Sequence, residues 1–127
     1  MKYPEYFDNP YMDELIGQLV DIIYREPDIA IEALRHYIAM DGDVNIICEG
    51  EGLLHAAARE QNFELIKLLI EAGADVNIRD TEGETPLHIA IDRDVDGAIQ
   101  EGQRATLETT RLLISLGADP EIRNMSG

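Results

Sequence analysis

GEGLLHAAAREQNFELIKLLIEAGADVN, residues 50–77, decides how this chain folds. An apolar, alanine-rich run, GLLHAAA, is followed by ELIKLLIE, where Leu65, Ile66, Leu68, Leu69 and Ile70 give one helix a broad apolar side. Gly73 supplies the left-handed position that ends a helix. Ala-Asp-Val-Asn and then Asp80-Thr81-Glu82-Gly83 read as an extended turn. The order of elements recurs downstream as GETPLHIAIDRD at 83–94 and LETTRLLISLGADP at 107–120. Self-similarity at a fixed period governs the fold, and here the period is 33 residues, from Gly50 to Gly83 and from His55 to His88. In the second copy the histidine-to-glycine spacing grows from 18 to 29 residues, an insertion of 11, after which the register returns.

A weaker copy precedes these two. EALRHYIAMDGDVN at 32–45 aligns with ELIKLLIEAGADVN at 64–77, with Tyr37 in the place of Leu69 and Asp41 in that of Gly73. Ahead of it, the stretch from Pro10 to Arg25 sets Leu15, Leu19, Ile22 and Ile23 on one helical face, with Asp8 or Asn9 as its cap. Pro27 is placed to open the next helix, as Thr85-Pro86 opens the one carrying Leu87, Ala90 and Ile91, which are expected to face inward. No helix pair of this kind buries its faces alone, so stacking is required. Tyr3, Tyr6, Phe7 and Tyr11 are expected to pack onto the first pair.

The charge is lopsided, with 26 acidic residues against 10 basic ones in 127 and a formal net charge of -16. Such a surface repels nucleic acid and anionic membranes and attracts cationic partners. A single cysteine, Cys48, allows no internal disulfide and no zinc pair, and no apolar stretch reads as a signal peptide or a membrane span. A cytoplasmic location is expected.

GETPLHIA with RLLISLGADP, and GLLHAAA with LIKLLIEAGADVN, resemble ankyrin repeats, and with them the small acidic bacterial type. The match covers 48–127 well and 10–47 loosely. The resemblance implies an all-α solenoid of stacked antiparallel helix pairs with projecting hairpin loops, a single domain over 1–127. Residues 10–47 would be a degenerate N-terminal capping repeat, 48–80 a repeat, 81–124 a repeat with an inserted loop at about 92–105, and 124–127 the start of a further repeat. Gly52 and Leu53 replace Thr-Pro in the first clear repeat, which weakens that helix start. A further helix would be expected at the end, and without it the last pair keeps an apolar side uncovered.

The repeat position of His55 and His88 implies hydrogen bonds within and between turns rather than catalysis, and His36 reads as a surface or half-buried residue. Neighbouring Glu49 and Glu51 disfavour a thiolate at Cys48. No phosphate loop and no HExxH motif is present, so neither an enzyme nor a cofactor is expected. The surfaces where ankyrin proteins contact partners fall here on Cys48, Glu49, Glu51, Arg59, Glu60, Thr81, Glu82, Glu84, Asp92 and Arg93. This concave, mostly acidic surface suits a basic protein partner. The implied function is a non-enzymatic binding module, in a sharper form an immunity or antitoxin protein that neutralises a cationic toxin, as monomer or weak dimer.

The alternative is a calcium-binding adaptor. DRDVDGAIQEGQ, residues 92–103, starts like an EF-hand loop with Asp92, Asp94, Asp96 and Gly97, but Gln103 stands where the bidentate glutamate belongs. The resemblance to insertions of small acidic bacterial ankyrin proteins instead makes Asp96-Gly97 a turn, with Gln100 and Gly102 folding the loop back.

Overall fold

The computed structural model describes residues 11–48, 50–101 and 107–122, and their side chains apart from those of 11–16, 48 and 97–101. The cap at Asp8 or Asn9, the aromatic residues Tyr3, Tyr6 and Phe7, the side chain of Tyr11 and the start of a further repeat at 124–127 lie outside the described residues. Helix α1 spans Tyr11–Arg25 and α2 spans Pro27–Ala39. The short antiparallel strands β1, Ile47–Cys48, and β2, Glu51–Gly52, pair Ile47 with Gly52 and Cys48 with Glu51. Helices α3, Leu53–Arg59, and α4, Phe63–Glu71, follow, then α5, Pro86–Glu101, and α6, Glu108–Ser115.

The helices stack as the repeat requires. α1 packs on α2, α3 on α4 and α5 on α6, while α3 lies between α1 and α5 as the middle inner helix. Leu19 and Ile23 of α1 are buried, as are Ala30, Leu34 and Tyr37 of α2, at i, i+4 and i+7. The middle pair is the most enclosed. Every residue from Leu53 to Ala58 is buried, and the run Ala56-Ala57-Ala58 lets α3 sit close to both neighbours.

The degenerate first copy folds in register with the others. Asp41 takes a left-handed conformation, φ 62°, in the slot that Gly73 and Gly117 fill at φ 103° and 107°. Aspartate tolerates this better than most residues. A side chain at Gly42 would collide with the ring of Tyr37, whose hydroxyl donates to the Asp43 carbonyl at 2.7 Å. Burial, with the Asp43 charge, pushes this phenol up to about 12.

The missing Thr-Pro does not cost α3 its start. The Gly52 amide donates to Nδ1 of His55 at 3.2 Å, so the imidazole ties the first turn of α3 without a side chain at position 52. With Nδ1 accepting, Nε2 carries the proton and donates to the Glu84 carbonyl of the next repeat at 2.7 Å. His55 is fully buried. Burial pushes it below its ordinary value, more than the Glu84 carbonyl and the carboxylates of Asp80 and Glu51 pull it up. In the next repeat Nδ1 of His88 accepts from the Thr85 amide at 2.8 Å, and the Thr85 and His88 side chains meet at 3.0 Å.

Two expectations need correction. The insertion is not a loop from residue 92: α5 continues without a break to Glu101, so Asp96-Gly97 makes no turn. The helix sets Asp92 and Asp96 four residues apart on one side and turns Asp94 away from both. Asp94 is only 8% exposed and points into the protein. This scatters the carboxylates that a calcium loop would converge, and among the described residues no group of three or more His, Cys, Asp or Glu side chains could hold a metal ion. Gln103 and Gly102 lie outside the described residues. Ile91, expected inward, is 39% exposed, although the equivalent Ala58 is fully buried under the next repeat. Val95 of the same helix and Ile114 of α6 are likewise exposed apolar side chains.

Three outcomes are expected. His55→Ala leaves the Gly52 amide and the Glu84 carbonyl unpaired beside a cavity, and should cost about 2–4 kcal/mol in denaturant unfolding. Because the folded imidazole resists protonation, the unfolded chain takes up the proton first. The stability gap between wild type and His55→Gln should therefore shrink as the pH falls below about 6.5, and a constant gap would contradict a buried neutral imidazole. Calorimetric titration with calcium should give no saturable heat at millimolar metal; stoichiometric binding would contradict the helical reading of residues 92–101.

Candidate functional site

The inner helices and the hairpins that precede them enclose a groove of about 420 Å3, lined by Gly50, Glu51, Arg59, Asp80, Thr81, Glu82, Glu84, Ile89, Asp92 and Arg93. Seven of the ten residues expected to contact a partner meet here: Glu51, Arg59, Thr81, Glu82, Glu84, Asp92 and Arg93. Glu60 is exposed but stands outside the lining, and Glu49 and the side chain of Cys48 lie outside the described residues.

Each wall is fixed by a local bond that the repeat provides. The two hairpin tips are tied where the Thr81 amide donates to the Gly50 carbonyl at 3.3 Å and its hydroxyl to the same oxygen at 3.4 Å. Asp80 closes its own turn. One carboxylate oxygen accepts from the amides of Glu82 at 2.8 Å and Glu84 at 2.9 Å, which presents the side chains of Thr81 and Glu82 outward. On the opposite wall, Arg93 on α5 donates from Nε to the Arg59 carbonyl at the end of α3, 3.0 Å away.

The groove's charge is less one-sided than its sequence suggests. The Tyr24 hydroxyl on α1 donates to the Glu51 carboxylate, 2.8 and 3.0 Å from its two oxygens. Arg59 donates from Nε to that hydroxyl at 3.2 Å and pairs with Glu51 at 3.6 Å. Burial, with the Glu51 hydrogen bond and charge, pushes the Tyr24 phenol up to about 12, so it stays a donor. Glu51 is thereby anchored and paired with Arg59, whereas Glu82 and Asp92 are exposed. Five carboxylates against two guanidiniums line the groove, so its potential remains negative.

Sequence reasoning missed Tyr24, Asp80 and Ile89. Asp80 had a signal, since Asp-x-x-Gly is a turn in which the carboxylate caps amides. Tyr24 had none, because its partners lie 27 and 35 residues away in the chain. The two repeat histidines face backbone groups, His55 across repeats and His88 within its own turn. No described helix is long and apolar enough to cross a membrane.

The comparisons agree with this architecture. A family model described as ankyrin repeats in three copies matches residues 22–124. An ankyrin repeat protein of Rickettsia felis is 34% identical over 97 residues, covering 71% of this chain and 40% of that protein. Protein phosphatase 1 regulatory subunit 27 of Homo sapiens is 42% identical over 78 residues, covering 61% and 44%. Human neurogenic locus notch homolog protein 1 is 49% identical over 51 residues, covering 40% of this chain and 2% of that protein. The chain thus spans less than half the length of these relatives. Ankyrin repeats mediate protein–protein interaction. With its family model matched over most of its length and its helix pairs stacked in register, this chain belongs to the ankyrin repeat family.

Proposed function

We propose that this chain is a non-enzymatic binding module whose groove takes a cationic segment of a partner protein. The observation that carries the reading is the convergence of Glu51, Glu82, Glu84 and Asp92 around one opening between two repeats. The hairpin is held by its own backbone bonds, so little ordering remains for the moment of binding. Arg59 and Arg93 add donors for carbonyl or carboxylate groups, which gives the groove a preferred orientation of its ligand beyond bulk attraction. The regulatory subunit among the relatives is, by its name, a protein that acts through another protein. In its narrower form the partner is a cationic toxin and this chain the cytoplasmic immunity protein that covers it. The net charge of -16 supports fast, salt-sensitive association with such a partner.

Glu82 and Asp92 are the residues to reverse, because both are exposed, whereas reversal of Glu51 would break its bonds to Tyr24 and Arg59. The Glu82→Lys/Asp92→Lys double variant should unfold like wild type yet bind its partner about tenfold or more weakly at low salt. Wild-type binding itself should fall steadily as salt rises. Affinity that ignores both the double reversal and strong salt would place the interface elsewhere.

A further inference from the structure

We infer that Asp94 is the positioning residue of the groove: it latches the inserted part of α5 in place, so that the wall carrying Asp92 and Arg93 is ordered before a partner arrives. This rests on the reading of the groove as the binding surface. Asp94 is 8% exposed and its two carboxylate oxygens reach two other structural units. Oδ1 accepts from Nε2 of Gln61 at 2.6 Å. Oδ2 accepts from the Thr110 amide at 3.0 Å and from the Thr110 hydroxyl at 2.8 Å.

Both partners sit where the chain needs help. Gln61 lies between α3 and α4 in a left-handed conformation, φ 55°. Thr110 is in the first turn of α6, and the residue that should cap that helix, Leu107, is itself left-handed at φ 58° and has no side-chain acceptor to offer. A helix N-terminus leaves amides without partners and favours a negative charge nearby. Asp94 supplies both from a different helix, doing for α6 what Asn62 does for α4 from its own N-cap.

The latch and the groove wall are consecutive residues. Asp92 lines the groove, Arg93 lines it and holds the Arg59 carbonyl, and Asp94 turns inward to Gln61 and Thr110. The periodicity of the helix makes this possible, because residues two apart face nearly opposite ways. Without such bonds this part of α5 would have to be ordered when a partner binds. Here the latch removes that ordering step, so the groove's width is set in the free protein.

The test combines hydrogen exchange with binding of a fluorescein-labelled nona-arginine peptide, as a cationic probe, at low salt. In wild type the amides of residues 92–101 should be protected without the probe. Asp94→Asn removes the same charge as Asp94→Ala but keeps an oxygen for Thr110, while the Gln61 amide flips to accept from the new NH2 group. Asp94→Asn should keep the protection and bind the probe within about twofold of wild type. Asp94→Ala should lower protection across 92–101 and weaken the probe, each about tenfold, the scale of one lost charged hydrogen bond. Amides of α3 and α4 should keep their protection. If Asp94→Ala unfolds the whole chain, Gln61→Ala, which leaves the carboxylate in place, should still lower protection selectively over 92–101. Equal behaviour of Asp94→Asn and Asp94→Ala would reduce Asp94 to a charge and overturn the proposal, as would unchanged exchange in Asp94→Ala or Gln61→Ala. Failure of wild type to bind the probe would count against the groove alone, and the exchange results would still decide the latch.

Discussion

The structure depends on one buried imidazole. His55 accepts the first amide of its own helix pair and donates to the Glu84 carbonyl of the following repeat. One side chain thus fixes both the start of α3 and the distance from α3 to the next hairpin. The groove exists because of that distance, since Glu84, Asp80 and Thr81 hang from the strand of chain that His55 holds. A charged imidazole would have no acceptor for a second proton at Nδ1, where the Gly52 amide already points, so burial and geometry both favour the neutral ring.

A second ladder runs along the hairpins and gives several aspartates a structural role. Asp43, Asp75 and Asp119 each accept the amide two residues on, at 2.9, 3.0 and 2.9 Å. Asn45 then accepts from the Asp75 amide at 2.7 Å and Asn77 from the Asp119 amide at 2.8 Å, so each repeat hands a hydrogen bond to the next. These aspartates, with Asp80 and Asp94, stabilise turns and caps. The negative potential of the groove comes from the convergence of the five carboxylates that line it.

Most of the fold was legible because each repeat restates the same local rules. The apolar spacing, Pro27 and Pro86 as helix starts and the glycines at helix ends all map onto observed elements. Asp41, which aligns with Gly73, takes the left-handed backbone of that slot. The insertion was misread for a physical reason. Its alternating carboxylates and Gly97 carry no helical stripe, and the residues that hold it helical, Gln61 and Thr110, lie 33 and 16 positions away. Ile91 was misplaced because burial at this repeat position comes from the neighbouring repeat, as at Ala58, and not from the helix that carries the residue. The lining of the groove was legible as a set of positions, since hairpin tips and inner helices converge in any such stack. Its electrostatics were not, because pairing Glu51 with Arg59 runs through Tyr24, which no motif marks.

The most direct test of this account is the protonation and tautomer of His55, read from ring nitrogen shifts in an NMR titration of labelled protein. The account predicts a neutral ring with the proton on Nε2, unchanged as the pH is lowered through 6.5 while the protein stays folded. A ring protonated on Nδ1, or one that titrates like a free histidine, would contradict it.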